Sequence, residues 1–398
     1  MLPAPLVSPW DRLRARLVMT SCDYNPAVQR WAKIYTQGPD RFAATLKRAA
    51  PFLLMVLDEL ERQDLPGEFA FLPYLESTYE PIVSHGDNPA GMWQFVPSTA
   101  RSAGMTINAG YDGRLDAFAS TRGAISLLAR YQQEFGDWRL VDMAFNAGEF
   151  GVKQLLHGQT DLSTEALSKL KLSPVTHEHL AKLLALSCIL NEPERFRVEL
   201  PQIGEDDRLT PVDLETPVDL RVAQRLAEVD GGDFQRWNAG YRGSNMPANS
   251  PQRLLLPASA RERFLERYAQ LTPAQWSDWS VVTLSAPRSV DELADAGGVE
   301  ANLLGVVNGV ESDRAFARGA NVLLPSRQAA SFGILKSVPA PVDLSRDAAT
   351  TLTVRNGDTL WDIATRYKVS VSQLRAWNGL GEKAGLKPGQ RLRVAPAD

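Results

Sequence analysis

The sequence predicts an α+β protein in which a mainly helical domain precedes small βααβ modules. Three observations lead there: apolar residues at helical spacing from Asp40 to about Leu190, a change after Pro193 to short strand-like runs ending in proline, and an internal repeat in the second half. A chain of 398 residues is too long for one core of ordinary size and divides into two to four domains. In the first region Leu53, Val56, Leu57 and Leu60 fall at i, i+3, i+4 and i+7, on one helix face, and Pro51 suits the first turn of that helix. Ala119 to Tyr131 and Trp138 to Phe145 show similar apolar faces. Glycine-rich loops, Gly86 to Gly91 and Gly104 to Gly113, separate these short helices. The expectation is a compact helical domain over residues 1–200, including an N-terminal helical extension, with a site built from loops.

In the second half, shifting the sequence by 70 residues lays Leu293-Ala294 on Ile363-Ala364, Asn308-Gly309 on Asn378-Gly379, Gly319 on Gly389 and Val322 on Leu392 without a gap. A looser copy has Leu226-Ala227, Trp237-Asn238 and Leu254 at the same kinds of position. Repetition at this length reads as three related modules of about 45 to 50 residues, over 201–260, 278–328 and 351–396, the first two degenerate. Residues 338–350, rich in Pro, Ala, Asp and Ser, read as a linker. In the last copy the order is strand (Thr351 to Val354), helix from Asp358-Thr359-Leu360, a Ser370-capped helix to Trp377, and strand (Arg391 to Val394). Leu360, Ile363, Leu374, Trp377 and Leu392 have to fill its small core.

Composition narrows the partners. Hydrophobic residues make up 44% and charged residues 23%, with 26 prolines spread along the chain, which suits a soluble globular protein. A net charge of −4 argues against nucleic acid, whose binding draws on clustered Lys and Arg, and leaves a neutral ligand such as a glycan. No run reaches the roughly 18 to 20 apolar residues that cross a bilayer, and Trp10, Asp11, Arg12, Arg14 and Arg16 interrupt any signal-peptide core. Met19-Thr20-Ser21-Cys22 has the outline of a lipoprotein box without the apolar segment before it. Membrane attachment would then rest on a leader or lipid anchor outside this chain. The two cysteines, Cys22 and Cys188, permit either one disulfide in an oxidising compartment or a buried free thiol in the apolar run Leu184 to Leu190. No metal is expected: His177 and His179, two apart, point in different directions on a helix, and no Cys completes a zinc set. Nor is a cofactor.

The most informative segment runs from Phe69 to Thr99. Glu76 follows the apolar residues Phe69, Phe71, Leu72 and Leu75, where a carboxylate loses hydration and its neutral, acid form gains, as a general acid needs. A lone Glu at a helix end is more often a solvated surface residue. The wider pattern changes that balance, because Glu76-Ser77 is followed by Gly91-Met92-Trp93-Gln94 and then by Ala144-Phe145-Asn146.

Those three motifs in that order resemble the family 1 lytic transglycosylases, which share the goose-type lysozyme fold. The membrane-bound lytic transglycosylase D type is the nearest match, from about Trp10 to Pro201, through Pro97-Ser98-Thr99, the Tyr111 to Ala117 stretch and Asn146-Ala147-Gly148-Glu149. That subgroup carries C-terminal LysM modules, like Asn356-Gly357-Asp358-Thr359 and Trp377-Asn378 here. The resemblance implies a lysozyme-like catalytic domain that cleaves the β-1,4 bond between N-acetylmuramic acid and N-acetylglucosamine, with Glu76 as acid and then base and a 1,6-anhydro product. It implies substrate contacts from Ser77, Gly91, Met92, Gln94, Phe145 and Asn146, with Tyr79 and Trp93 as stacking surfaces or core. It places glycan binding at Gly357, Asp358, Thr359 and Asn378, with peptidoglycan strands as partner and the periplasm, in association with the outer membrane, as location.

One departure stands out. The family has Tyr where Phe145 stands, with its hydroxyl close to the catalytic carboxyl; Tyr74, Tyr79 or Ser77 are the nearby substitutes. Two alternatives follow: a hydrolase using water held by Asp87, Asp112 or Glu149, and a scaffold that binds peptidoglycan without turnover, which the missing hydroxyl favours.

Overall fold

The fold is described from a computed structural model, covering residues 8–19, 22–83, 89–156, 161–336, 351–354, 363, 374, 377–380, 386, 387 and 389–394. It forms two compact units, one spanning residues 1–84 and 88–341 and the other residues 342–398 together with 85–87.

The first unit opens with α1 (Pro9–Ala15), α2 (Pro26–Tyr35) and α3 (Pro39–Arg62). Ser8 and Asn25 cap α1 and α2, and proline occupies the first turn of all three helices, where its missing N–H has no cost. The sequence placed a helix start at Pro51, but α3 runs straight through that residue. Proline removes the bond to the carbonyl one turn back. Burial of Phe42, Leu46, Ala49 and Ala50 on the earlier half outweighs that loss and keeps the helix continuous.

A 3-10 turn over Gly67–Phe71 leads into α4 (Leu72–Ser77), then α5 (Pro97–Ser102), α6 (Ala117–Phe135), α7 (Trp138–Ala147), α8 (Glu149–Leu156), α9 (Thr164–Ser168) and α10 (Pro174–Asn191). Helix α10 is apolar round its circumference, with Leu180, Leu183, Leu184, Leu186, Ile189 and Leu190 all buried, the signature of a helix inside the core. It packs against α2, α4, α7 and the 3-10 turn. Cys188 on α10 is bonded to Cys22, which resolves the two cysteine readings in favour of a disulfide and commits the sulfur of the lipoprotein-like box to α10.

The later elements follow the repeat. The first module has β1 (Leu209–Asp213), α11 (Leu220–Ala227), α12 (Gly231–Trp237) and β2 (Arg253–Pro257), with β1 antiparallel to β2. Helix α13 (Ala258–Tyr268) leads to the second module: β3 (Trp279–Leu284), β4 (Arg288–Ser289), α14 (Val290–Gly297), α15 (Ala301–Asn308), β5 (Ala315–Phe316) and β6 (Asn321–Pro325). Then come α16 (Ser326–Phe332) and β7 (Gly333–Leu335), which adds to the edge of β3. Val222, Leu226, Leu254 and Phe264 share one core with Trp279, Val282 and Leu304, so the first two modules are packed into each other. In the second unit β8 (Thr351–Thr353) pairs with β9 (Arg391–Arg393) over Ile363, Leu374 and Leu392. Residues 338–350 and Gly357, Asp358 and Thr359 lie outside the described residues.

The asparagines that revealed the repeat share one task. Asn308 donates its amide to the carbonyls of Leu304 and Leu323, both at 3.0 Å, and accepts from Leu323 N–H at 2.7 Å. Asn378 does the same with Leu374, Arg393 and Arg393 N–H at 2.8, 2.7 and 2.6 Å. Asn238 repeats it with Phe234 and Leu255. Each amide clamps the last strand of its module to its second helix. For Asn378 this is a structural part, in place of the direct glycan contact expected from sequence.

The Cys22–Cys188 bond spans a sequence separation of 166 residues, which restricts the unfolded chain strongly. Reduction is expected to lower stability by about 2–4 kcal/mol. Thermal unfolding with and without dithiothreitol measures it, and an unchanged Tm would contradict it.

Candidate active site

Glu76 sits on the last turn of α4, its side chain about one-fifth exposed. The chain reverses directly after it. Thr78 and Tyr79 both take left-handed backbone, at φ 53° and 60°, an uncommon conformation for side-chain-bearing residues that clusters at functional sites. Ser77 stitches this turn to the next loop: its hydroxyl donates to the Met92 carbonyl at 3.0 Å and accepts from Glu80 N–H at 3.0 Å. The serine therefore acts through the backbone beside Glu76.

The second loop is a tight reversal, with Ala90 bridged to Phe95. Gly91 has φ 79°, and a Cβ there would lie 1.7 Å from the Arg114 carbonyl oxygen, so the glycine is required by close approach of the protein's own backbone. The resemblance had placed it among the substrate contacts. Gln94, also left-handed at φ 51°, donates its amide to the Gly91 carbonyl at 2.7 Å. Met92 is fully buried, which leaves its backbone, bonded to Ser77, as its contribution.

Of the two readings offered for the aromatics, stacking surface or core, the structure selects core. Tyr79 is fully buried and its hydroxyl donates to the Ala70 carbonyl, while Trp93 is 1% exposed and donates its indole N–H to Thr121 at 3.1 Å. Neither offers a face to a sugar; both are core. Phe145, half-buried, meets Trp93 and Phe95 edge to face, with centroids 6.2 and 6.3 Å apart. Asn146 follows it near the end of α7, half-buried and without a hydrogen bond among the described residues.

None of the substitutes foreseen for the missing tyrosine hydroxyl reaches Glu76. Tyr79 and Ser77 are engaged as above, and Tyr74 is buried against Tyr35 and Phe42. The partner of Glu76 is one that the sequence reading had weighed only as a metal ligand. His179 on α10 places Nε2 3.2 Å from Glu76 Oε1 and Nδ1 3.0 Å from Asp142 Oδ1 on α7. Burial of His179 disfavours its charged form, but the Asp142 charge and hydrogen bond, followed by those of Glu76, outweigh burial and hold the imidazole up to about 10. The available cue was Asp142 itself, a charge amid the apolar residues Leu140, Val141, Met143 and Ala144.

The other carboxylates considered are committed elsewhere. Asp112 is buried and bonded to Arg114 Nε and Nη2 at 3.0 and 2.8 Å and to Arg242 Nη2 at 2.7 Å. Glu149 pairs with Lys153 and Arg130, both at 2.7 Å. Asp87 lies outside the described residues.

The first module braces both loops. Arg236 on α12 donates to the Tyr79 carbonyl at 3.0 Å and to Glu80 at 3.3 Å, with its guanidinium 4.7 Å from the Phe52 ring centroid. Arg242 holds Asp112, beside the Arg114 whose carbonyl lies against Gly91. Gly240 fits against Tyr111, where a Cβ would come within 2.8 Å of the ring.

Two outcomes follow. Arg236→Ala is expected to destabilise the protein by about 1.5–3 kcal/mol, the range for hydrogen bonds to a charged group, and to lower turnover; calorimetry and rate measurements check it, and wild-type values in both would contradict the brace. His179 keeps its proton in the folded state up to about pH 10, while the unfolded histidine loses it near 6.5. Its contribution is therefore complete below about 6.5 and lost as pH rises towards 10. Across that window Tm should fall more in the wild type than in His179→Gln, and parallel curves would contradict it.

Comparison with known proteins agrees with this geometry. Residues 58–167 match the transglycosylase SLT domain, residues 208–272 the lytic transglycosylase MltD, LysM-like domain, and residues 352–395 the LysM domain. The chain is 29% identical over 360 residues to the membrane-bound lytic murein transglycosylase D of Escherichia coli (strain K12), covering 87% of this chain and 76% of that protein. It is 29% identical over 148 residues to a putative tributyltin chloride resistance protein of an Alteromonas species, covering 37% of this chain and 72% of that one. Over 49 residues, 12% of this chain and 15% of the relative, it is 45% identical to an N-acetylmuramoyl-L-alanine amidase of Staphylococcus saprophyticus. The chain therefore carries a transglycosylase SLT domain, an MltD-type LysM-like domain and a LysM domain, a set that supports lytic transglycosylase activity on peptidoglycan.

Proposed function

We propose that this lytic transglycosylase cleaves the β-1,4 bond between N-acetylmuramic acid and N-acetylglucosamine, forming 1,6-anhydromuramic acid in cell-wall remodelling or turnover. The observation that carries this reading is that Glu76 is partly exposed between two strained loops, while the two alternative bases among the described residues, Asp112 and Glu149, are neutralised by arginine and lysine. Ordinary glycosidases need two carboxylates, one as acid and one as base or nucleophile. A single carboxyl suits an intramolecular reaction. Glu76 gives its proton to the glycosidic oxygen as the C1–O4 bond breaks and the electron pair leaves with that oxygen. The substrate's 2-acetamido oxygen supports the cationic C1. The muramyl 6-hydroxyl then attacks C1, and its proton returns to Glu76. The proton count closes without water.

Gln94 on the second loop and Asn146 on α7 are assigned to the sugar acetamides, as amide side chains able both to donate and to accept. The C-terminal LysM domain anchors the enzyme on glycan strands through Gly357, Asp358 and Thr359, with Asn378 holding the module together. The first module serves as a brace and the second packs on it, so the last module is assigned most of the glycan affinity. Similarity to a membrane-bound murein transglycosylase supports a periplasmic location; among the described residues no helix is long and apolar enough to cross a membrane.

Incubation of purified sacculi with wild type and with Glu76→Gln, followed by mass spectrometry, tests the reaction. Anhydromuropeptides from wild type alone are expected, with a loss of at least about 100-fold in the variant; no products from either would leave a binding scaffold disabled at Phe145. Removing residues 350–398 should sharply reduce pelleting with sacculi, and unchanged binding would refute the assignment of affinity to the last module.

A further inference from the structure

We propose that Asp142 and His179 form a buried positioning pair that fixes one oxygen of the Glu76 carboxyl and leaves the other to meet the substrate. This rests on the reading of Glu76 as acid and base, and adds what aims it. Three helices converge on the pair: α7 supplies Asp142, fully buried; α10 supplies His179, 7% exposed; α4 carries Glu76 in its last turn. The bonds run in line from Asp142 Oδ1 through both imidazole nitrogens to Glu76 Oε1, at 3.0 and 3.2 Å, and Glu76 Oε2 has no hydrogen bond among the described residues.

Packing alone does not explain this line. A buried ionic group costs several kcal/mol to desolvate, and apolar residues of similar size commonly stabilise a core as well or better. Here the cost is incurred under a partly exposed carboxyl, and Asp142 Oδ2 lacks a partner among the described residues. The arrangement is coherent if both imidazole nitrogens carry protons, Nδ1–H donating to Asp142 and Nε2–H to Glu76 Oε1. That bond survives when Oε2 loses its proton to the glycosidic oxygen and when it regains one from the 6-hydroxyl. His179 neither gains nor loses a proton over the cycle. Its charge offsets the carboxylate that appears midway, which is preorganised stabilisation of developing charge, while Asp142 balances the imidazolium in between.

Other charged groups on α10 and on the elements packed against it are engaged: Arg12 of α1 pairs with Asp58 and Glu61, Arg14 with Asp11 and the Leu190 carbonyl, Arg139 of α7 with Asp137, and Arg195 after α10 with Glu192. Glu178 is paired with Arg30 of α2, Lys182 lies 4.5 Å from the Trp31 ring centroid, and Glu68 of the 3-10 turn accepts from Val18 and Met19 N–H. Tyr35 of α2 has its phenol held above its ordinary range by burial. The charges acting on His179 are those of Asp142 and Glu76.

The experiment uses the full chain as wild type, His179→Gln and Asp142→Asn. It measures kcat and KM for anhydromuropeptide release from soluble glycan strands between pH 4 and 9, and follows the 15N resonances of labelled histidine, assigned by loss of a signal in His179→Gln. A positioning role lowers kcat in His179→Gln by about 10- to 100-fold, the range for lost supporting partners, with KM within about twofold. It also moves the alkaline limb of the profile by about one unit, as loss of a neighbouring cation does. Asp142→Asn should bring the His179 titration down towards neutrality and add an inflection there. The pair is overturned if His179→Gln keeps the wild-type kcat and profile, or if wild-type His179 titrates near its ordinary value. Should both variants misfold, the wild-type titration decides. A wild type that releases no anhydromuropeptides removes the underlying reaction, an outcome distinct from an active wild type matched by His179→Gln.

Discussion

A carboxylate inside a protein core has to find a partner, and Asp142 finds one in His179, which in turn reaches Glu76. This line joins α4, α7 and α10, so the burial of α10 and the position of the reactive carboxyl are one constraint. Helix α10 is buried along most of its length, from His179 to Leu190 with only Lys182 partly exposed, and therefore sits where the other helices close round it. Cys188 near its C-terminus ties it to the chain before α2, and His179 near its N-terminus faces the site. The rigid element is thus the one that aims the acid.

The loops around Glu76 depend on support from outside the helical domain. Left-handed backbone at Thr78, Tyr79 and Gln94 persists where surrounding contacts over-determine it. Ser77 joins the two loops, Arg236 grips the first, and Asp112 with Arg114 and Arg242 backs the second. A module with the LysM chain order has here become part of the scaffold of the catalytic domain, its Trp237 and Leu255 buried in the core of the helical domain. The proposed division of labour between the modules rests on this: the first module's surface is spent on the enzyme.

Local pattern carried much of this. Helical spacing, the Pro-terminated strands and the 70-residue shift were legible because each depends on residues close in sequence or on self-similarity. Glu76, Ser77, Gly91 and Gln94 were legible as a motif set, and they do converge on the two loops. What escaped was tertiary. The rule that proline starts helices is local, and burial of the earlier half of α3 overrode it at Pro51. For Tyr79 and Trp93 stacking surface and core both stood open, because aromatic type does not reveal exposure, and both are core. Asp142 and His179 are 37 residues apart, and His179 is 103 from Glu76, so no spacing rule links them. The repeated asparagines were found by position, but their role as clamps needed the strand carbonyls to be seen.

The central claim is that one carboxyl suffices because the substrate's own hydroxyl replaces water. Digestion of sacculi in water enriched in 18O tests this most directly. The account expects anhydromuramic ends whose mass matches that in ordinary water, because no solvent oxygen enters the product. Reducing muramic ends carrying the heavy isotope would contradict it and assign the chemistry to a hydrolase.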